Sequence, residues 1–450
     1  MERRRFVRNA AAAVVGFAAQ ASGAGSKILA QIRQPAQDDS QDLRFRWERL
    51  DYTIRRWWDA DLHRATEEEI RSDSEKSLLF LPFPYTTAGG SESAFPEIYG
   101  WDTQFINLAL IAHERLDIVR NNILDQLFLI ERYGKVLNGN RSFYLTRGQP
   151  PLLAWSIENY LAARSGDDEL AELAYPLLER AYRDYWNGPD HATPVGLSTC
   201  HDSGKGTDHD QELAAEDESG LDYTPIFAGD IRHCVPIHIN CALLHVTQAL
   251  AMLASRFGWH EKAEIWKHET DDRAQRIQKY CWDEAEGFYF EYDFVRGTRL
   301  PFFSLNGFWP LWAGVATAAQ ARRAADHLHL FDQPFGLSFT DREYPNPHPQ
   351  FAALEWAYPE SWPPQQIIVA QALERYGFHL EAEGINRRYL ANVVKTWEET
   401  GETWERYNAV KGGHECPIER TAVAKLHGWS SASAVVLGQM LFGKPGSQQS

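Results

Sequence analysis

Apolar residues recur at intervals of three and four positions along most of the chain, and polar loops separate these periodic stretches. One such stretch contains Leu170, Leu173, Leu177, Leu178 and Ala181, a spacing that predicts an amphipathic helix. Similar patterns predict helices near 45–63, 101–115, 117–132, 149–164, 236–257, 259–281, 306–316, 318–329, 364–376, 378–399 and 430–443. The pattern therefore predicts about a dozen helices.

Alternation typical of strands is scarce, and its best example is the segment 287–294 with Phe288, Phe290, Tyr292 and Phe294. We therefore predict an all-α chain with short β-hairpin insertions. About twelve helices with long connections that contain Gly and Pro fit an α/α toroid, in which inner and outer helices alternate. Loops at one end of such a toroid build the pocket. The periodicity alone fits a helical solenoid equally well.

The first residues have the pattern of an export signal. Arginines at 3, 4, 5 and 8 precede an apolar run over 10–19, and Ala19-Gln20-Ala21 offers a cleavage point. The Arg-Arg-x-Phe-Val-Arg order resembles a twin-arginine signal. We predict a signal peptide over 1–21, a linker over 22–42 and a catalytic barrel over 43–445, in a periplasmic or secreted protein. A basic leader without a targeting role is the alternative.

Charge narrows the range of partners. The 450 residues include 62 acidic and 45 basic side chains, which gives a formal net charge of -17. A surface this acidic repels phosphate backbones, so we expect no nucleic acid. We expect no membrane contact after signal removal, because no later stretch approaches the length of an uninterrupted apolar span. The 13% aromatic content suits the faces of sugars, and the sequence leaves the oligomeric state open.

Metal and cofactor motifs are missing from the sequence. It has five cysteines but no C-x-x-C pair, and sixteen histidines but no H-E-x-x-H motif. Asp202, Asp208 and Asp210 lie near two glycines and allow a calcium interpretation. The loop lacks the Glu that an EF-hand has at its twelfth position, however, and a solvated loop is the favoured interpretation. We predict no metal and no cofactor.

Several loops combine aromatic and charged residues that a core would not tolerate unpaired. Three have specific patterns: E-x-Y-x-W-D ends at Asp102, N-G-N-R begins at Asn138 and leads to R-x-Q-P-P at Arg147, and W-x-Y-P-x-x-W-x-P-x-Q covers 356–366. Together they resemble the trehalase family, glycoside hydrolase family 37, and the related family 63 α-glucosidases, over about residues 80–440. The resemblance implies an (α/α)6 barrel that hydrolyses an α-glycosidic bond with inversion.

The resemblance also assigns roles to individual residues. Asp222 in S-G-L-D-Y lies at the position of the family's general acid, with Leu221 in place of a tryptophan. Glu405 in W-E-R-Y-N lies at the position of its general base. Inverting hydrolysis needs this division of labour between two carboxyl groups. The positions that correspond to substrate-binding residues are Trp101, Asp102, Asn138, Arg147, Gln149, Gly220, Trp362, Gln366 and Glu415.

Departures from the trehalase pattern affect substrate choice more than mechanism. Ala94 replaces an arginine, the segment 197–212 lacks the arginine of the family's R-P-E element, and Ala357 replaces an aspartate. We therefore expect an exported inverting α-glycosidase that acts on a small α-glucoside, either trehalose or a related disaccharide. The alternatives are a family 63-like hydrolase of another α-glucoside or α-mannoside, a catalytically degenerate carbohydrate-binding barrel, and an isomerase or lyase on the same barrel.

Overall fold

The computed structural model describes residues 37–90, 95–204, 206–418 and 422–445. The predicted signal peptide and most of the predicted linker lie outside the described residues, as does Ala94. The first helix begins at Gln37, so the last six residues assigned to the linker are helical. The predicted boundary of the barrel at residue 43 therefore lies inside this helix.

Fifteen α-helices occur in the described part of the chain. They are Gln37–Ala60 (α1), Glu67–Ser72 (α2), Asp102–Ala112 (α3), Leu116–Tyr133 (α4), Leu153–Ala163 (α5), Asp168–Arg180 (α6), Asp208–Ser219 (α7), Ile237–Arg256 (α8), His260–Cys281 (α9), Trp309–Trp312 (α10), Ala318–Asp326 (α11), Leu328–Phe331 (α12), Pro363–Arg375 (α13), His379–Thr400 (α14) and Gly428–Phe442 (α15). Most of them match the predicted stretches closely.

Six of these helices pack against one another in a closed ring. Helix α3 contacts α5, α5 contacts α8, α8 contacts α10, α10 contacts α13, α13 contacts α15, and α15 returns to α3. The helices α1, α4, α6, α9, α11 and α14 alternate with them along the chain. The fold is therefore an (α/α)6 barrel, which confirms the predicted toroid. A solenoid is excluded because the ring closes.

The inner and outer helices bury different fractions of their surface. In α8, an inner helix, 16 of the 20 residues are buried. By length and composition α8 could cross a membrane, yet 83% of its most apolar window is packed inside the barrel. A helix that is apolar on all sides is expected in such a core.

Outer helix α1 is amphipathic. It buries Trp47, Leu50 and Ile54 at helical spacing, while Phe45 and Tyr52 on its other face are exposed. The buried face packs on α15 and α14. The alternation of core and solvent faces along α1 is the pattern that the sequence spacing predicts.

In the described residues the strands form five small antiparallel sheets of two or three strands. They are Leu62–His63 (β1), Tyr85–Thr86 (β2), Cys234–Val235 (β3), Trp282–Asp283 (β4), Phe288–Tyr289 (β5), Tyr292–Asp293 (β6), Thr298–Arg299 (β7), Asp332–Gln333 (β8), Gly336–Leu337 (β9), Glu360–Ser361 (β10) and Tyr407–Asn408 (β11). The pairs are β1–β2, β4–β5, β8–β9 and β10–β11, and β6 lies between β3 and β7.

The segment 287–294 was predicted to form one hairpin-like unit, and the structure differs from this prediction. Its first half, β5, pairs with β4, whereas its second half, β6, pairs with β3 and β7. Phe290, between the two, donates its N–H to the carbonyl of Cys281. The alternating aromatics thus belong to two neighbouring sheets instead of one.

The N-terminal ends of three inner helices meet at one end of the barrel. Trp101 immediately precedes α3, Trp362 precedes α13, and Trp429 is the second residue of α15. The ring centroids of Trp101 and Trp429 are 5.8 Å apart, and those of Trp362 and Trp429 are 5.9 Å apart. This end of the barrel gathers the loops that the sequence analysis singled out.

Two helical glycines allow a test of how closely the helices pack. A Cβ at Gly438 in α15 would overlap the ring of Trp47 in α1, whereas a Cβ at Gly384 in α14 would meet only the flexible side chain of Arg388. We expect Gly438→Ala to lower the free energy of unfolding by about 1–3 kcal/mol through overpacking. Gly384→Ala should raise it by about 0.5–1 kcal/mol through helix propensity. Denaturant unfolding measures both.

Gly384→Ala is the matched control, because it makes the same chemical change in a helix of the same barrel. Equal effects of the two substitutions would contradict the close approach of α1 to α15.

Candidate active site

Asp222 follows an acidic helix that the sequence analysis treated as a loop. Helix α7 continues to Ser219 and ends at Gly220, which has a φ of 71° in the left-handed region. A Cβ at Gly220 would lie 2.9 Å from the ring of Trp101. Glycine is therefore required here both by the backbone conformation and by the close approach of the indole. Asp222 lies two residues beyond this turn and is half-buried.

Glu218, near the end of α7, ties two loops to the helix. Its fully buried carboxylate accepts hydrogen bonds from the N–H groups of Gly148 at 2.9 Å and His201 at 2.8 Å. His191 pairs with it at 2.8 Å, and the hydroxyl of Tyr185 donates to it. Burial acts to raise the pKa of Glu218, but His191 and these donors outweigh burial and hold the pKa below its ordinary value.

Asp217 connects α7 to two predicted substrate-binding residues. Its Oδ2 lies 3.0 Å from Nη2 of Arg147, and its carbonyl oxygen accepts a 3.1 Å hydrogen bond from Nδ2 of Asn138. Nη1 of Arg147 also lies 3.2 Å from Oδ2 of Asp202. The guanidinium of Arg147 sits over the ring of Tyr144, with Cζ 5.0 Å from its centroid. Asn138 and Arg147 therefore lie beside the acidic helix.

Asp202 belongs to this ion-pair network, which bears on the calcium interpretation. It is buried and also accepts hydrogen bonds from Oγ1 of Thr146 and the N–H of Gly204. Asp210 accepts from Thr207 in a capping box at the start of α7. Among the residues that the structure describes, no group of three or more His, Cys, Asp or Glu side chains is arranged to hold a metal.

Glu216, also in α7, fixes the backbone that follows Asp222. Its buried carboxylate accepts hydrogen bonds from the N–H groups of Tyr223 and Thr224 and lies 3.0 Å from Nε2 of His348. Burial raises the pKa of Glu216 well above its ordinary value. Tyr223 has a φ of 57°, so left-handed residues flank Asp222 closely on both sides. The backbone on both sides of Asp222 is thus held in a defined turn.

Asp102 lies at the start of α3 and is almost fully buried. Burial, with smaller contributions from the negative charges of Glu405 and Asp222, raises the pKa of Asp102 to about 8, against a lowering hydrogen bond from its own N–H. Of these three carboxyl groups, Asp102 therefore interacts electrostatically with each of the other two, although the residues are far apart in the chain. The raised pKa favours a protonated Asp102 at neutral pH.

Several tryptophans pack together next to Asp102. The ring of Trp101 contacts that of Trp356 at a centroid distance of 5.5 Å, and Trp356 stacks on Trp362 at 3.8 Å. The backbone N–H of Trp101 donates a 3.0 Å hydrogen bond to Oε1 of Gln149. Gln149 thereby fixes the start of α3, where Trp101 and Asp102 lie.

Glu405 lies two residues before β11. Its N–H donates to the carbonyl of Ala424 at 2.9 Å, and its carbonyl accepts from the indole of Trp429 at 2.8 Å. Oε2 of its carboxylate lies 2.5 Å from Nη1 of Arg406. The side chain of Glu405 is 19% exposed, which is enough for contact with water.

The structure gives other contacts to Gln366 and Glu415, which were predicted to bind substrate. Both amide atoms of Gln366 are paired with the backbone of Leu337, at 3.2 and 3.0 Å, so its amide joins α13 to β9. Glu415 is exposed on the loop after β11, where its carbonyl accepts a 2.9 Å hydrogen bond from Nδ2 of Asn408. The structure does not bring these two side chains to the three carboxyl groups, and their substrate contacts stay predictions.

Sequence reasoning did not identify Glu360 and Arg406 as a pair. Nε of Arg406 donates a 2.8 Å hydrogen bond to Oε1 of Glu360, across 46 positions of sequence. Both residues lie inside motifs that the sequence analysis recognised. The available signal was that each charged residue lies among aromatic residues in the sequence. Charged side chains in such apolar surroundings need partners of opposite charge.

Comparison with known proteins places this chain in a family. A sequence model described as Trehalase matches residues 29–219 and 203–441 of this chain. The chain belongs to the trehalase family. Its relatives include the cytosolic neutral trehalase of Kluyveromyces lactis, which is 28% identical over 393 residues, covering 74% of this chain and 52% of that protein. The periplasmic trehalase of Pseudomonas aeruginosa is 28% identical over 414 residues, covering 81% and 72%.

Solved structures agree with the trehalase family assignment. The neutral trehalase of Saccharomyces cerevisiae superposes with a TM-score of 0.72 at 25% identity, covering 84% of this chain and 80% of that chain. A family 63 mannosylglycerate hydrolase from Thermus thermophilus, in complex with glucose, shares the fold with a TM-score of 0.60 at 18% identity, covering 86% and 99%. The chain spans about half the length of the yeast trehalases that it matches.

His238 of the inner helix α8 supports the end of the helix that leads to Asp222. It is fully buried, its Nε2 donates to the carbonyl of Ser219 at 2.8 Å, and its Nδ1 accepts from Nδ2 of Asn306 at 3.2 Å. This arrangement requires a neutral imidazole. Burial lowers the pKa of His238 to about 4. The histidine therefore holds the end of α7, three residues before Asp222, in its uncharged form.

We expect this histidine to destabilise the protein in acid. Between pH 6.5, near the ordinary value, and about pH 4, the unfolded chain binds one proton more than the folded chain at this residue, so the free energy of unfolding falls as the pH falls. The loss attributable to His238 should be about 3 kcal/mol. Denaturant unfolding of wild type and His238→Gln between pH 7 and 4 isolates it, because Gln cannot titrate. Parallel curves for the two proteins would contradict the assignment.

Proposed function

We propose that this chain hydrolyses a small α-glucoside, trehalose or a related disaccharide, with inversion at the anomeric carbon. Asp222 is the general acid and Glu405 is the general base. The observation that carries the proposal is that Asp222 and Glu405, which come from loops on different elements, both interact with the same buried carboxyl group, Asp102. An arrangement of two carboxyl groups around a small site supports glycoside hydrolysis.

In the proposed reaction Asp222 donates its proton to the glycosidic oxygen as the bond to the anomeric carbon breaks. Glu405 accepts a proton from a water molecule whose oxygen attacks that carbon from the opposite face. Asp222 ends ionised and Glu405 ends protonated, and proton exchange with solvent restores both. The product with the new hydroxyl has the opposite anomeric configuration.

The surrounding residues suit a sugar ring. Trp101 is 1% exposed and supports Asp102 from the preceding position. Asp102 supplies a carboxyl group whose raised pKa favours donation of a hydrogen bond to a sugar hydroxyl at neutral pH. Asn138 and Arg147 lie next to the turn that carries Asp222. Because Arg147 is already paired with two aspartates, we propose that it orients the site as well as contacting substrate.

We also propose that the protein acts in the periplasm. The N-terminal pattern predicts export, and periplasmic trehalases are among the relatives. A small carbohydrate is the proposed binding partner.

Asp222→Asn should remove the proton donor and leave the fold unchanged. Turnover of a disaccharide, whose leaving group needs a proton, should fall by about 10²–10⁴-fold. Turnover of α-glucosyl fluoride should fall far less, because fluoride leaves with little protonation. Steady-state kinetics on both substrates compare the two effects within one variant. Equal losses on both would show that Asp222 is not the acid.

Glu405→Gln should abolish hydrolysis, because the attacking water is then not deprotonated. Added azide needs no deprotonation, and we expect it to restore turnover of α-glucosyl fluoride with a β-glucosyl azide product. The matched control is Glu402→Gln, three residues away, where Glu402 pairs with His427 and Lys425. It should retain hydrolysis without azide. Hydrolysis at the wild-type rate by Glu405→Gln would show that Glu405 is not the general base.

A further inference from the structure

One arginine next to Glu405 is shared among three carboxylates. Arg406 is 1% exposed, and its Nη1 lies 2.5 Å from Oε2 of Glu405. Its Nε lies 2.8 Å from Oε1 of Glu360, and its Nη2 lies 3.6 Å from Oε1 of Glu355. Each nitrogen of the guanidinium thus faces a different acidic side chain. Arg406 therefore joins the partly exposed Glu405 to the fully buried Glu360.

Glu360 is held as firmly as Arg406. Its second oxygen, Oε2, accepts a 2.9 Å hydrogen bond from the indole N–H of Trp362. Its backbone is part of β10, in register with Asn408 of β11. The guanidinium of Arg406 also lies over the ring of Trp362, with Cζ 5.0 Å from the centroid. These contacts leave the guanidinium no room to rotate without breaking several bonds.

We infer that Arg406 is the positioning residue of the general base, and that Glu360 acts through Arg406 by fixing its guanidinium against Trp362. The inference rests on the proposed role of Glu405. A base must present one oxygen to water in a fixed direction, and a bond from Arg406 to Oε2 fixes the plane of the carboxylate. An arginine is suited to this because its planar fork binds two carboxylates in one rigid geometry.

The charges around Glu405 make this cation necessary. Glu405 faces Arg406 from its own segment, Glu360 from β10 and Asp102 from α3. Glu355 shares Arg406, and Asp222 interacts with Asp102. The acidic neighbours favour protonation of Glu405, which would inactivate a base, and Arg406 opposes them. Burial, with a smaller contribution from Glu405, raises the pKa of Glu360 to about 7 against the lowering effects of Arg406 and the indole of Trp362. Glu360 and Glu405 therefore compete for one cation.

The test is the pH dependence of kcat/KM on α-glucosyl fluoride, whose acid limb reports protonation of the base. We expect Arg406→Gln to move the acid limb upward by about one pH unit or more, because the ionised Glu405 loses its cation. We also expect kcat to fall by about 10–100-fold with little change in KM, because the base is misoriented.

Glu360→Gln separates the two roles. A glutamine keeps a carbonyl oxygen for the donors but removes the competing charge, so Arg406 remains with Glu405. We expect a lower kcat in this variant without an upward move of the acid limb. Asp125→Asn is the matched control, because Asp125 is also a buried carboxyl group with a pKa raised to about 8, yet it binds the N–H of Phe83 far from Arg406. Its profile should match wild type.

The double variant Arg406→Gln/Glu360→Gln keeps the test usable if Arg406→Gln alone fails to fold. Arg406→Gln alone leaves Glu360 buried without its cation, whereas removal of both partners of a buried pair is commonly tolerated. We expect the folded double variant to keep the raised acid limb. A wild-type acid limb in the double variant, or an upward move in Glu360→Gln, would overturn the inference. Full hydrolysis by Glu405→Gln would instead overturn the role of Glu405 itself, so the two failures are distinguishable.

Discussion

Buried carboxylates at the loop end of the barrel must each find a hydrogen-bond donor, and this constraint organises the site. An unpaired carboxylate in a core is costly, and Glu216, Glu218 and Glu360 each bind donors outside their own helix or strand. Glu218 binds the backbone of residues 148 and 201, and Glu216 binds the backbone just after Asp222. Glu360 binds Arg406 and the indole of Trp362 next to Glu405. The hydrogen bonds and ion pairs of these buried carboxylates therefore position the loops, and helix packing provides the scaffold that carries them.

The same constraint gives the three central carboxyl groups different surroundings. Asp102 is buried between two acids and has a raised pKa, which suits a hydrogen-bond donor. Glu405 lies beside a cation and is partly exposed, which suits an ionised base in contact with water. Asp222 is attached to a turn that Gly220 and Tyr223 make rigid. Separate environments for chemically similar acids are what acid–base catalysis requires, since one group must be protonated while another is ionised.

The sequence predicts the scaffold better than it predicts the site. The apolar spacing near 378–399 corresponds to His379–Thr400, because tertiary packing follows the amphipathic pattern there. Helix α7 was not predicted, because its buried acids Glu212, Glu216 and Glu218 resemble a solvated loop in composition. The roles of Asp222 and Glu405 were predicted through a family resemblance. The pairing of Arg406 with Glu360, and of Gln366 with Leu337, depends on tertiary contacts that spacing does not encode.

The central claim is that two carboxyl groups act on opposite faces of an α-glucoside. Anomer-resolved NMR of the full chain acting on a panel of α-linked glucose disaccharides tests it most directly, with spectra recorded before mutarotation equilibrates the products. The account predicts that the glucose formed at the attacked carbon appears first as the β anomer. First appearance of the α anomer at that carbon would show retention and contradict the account.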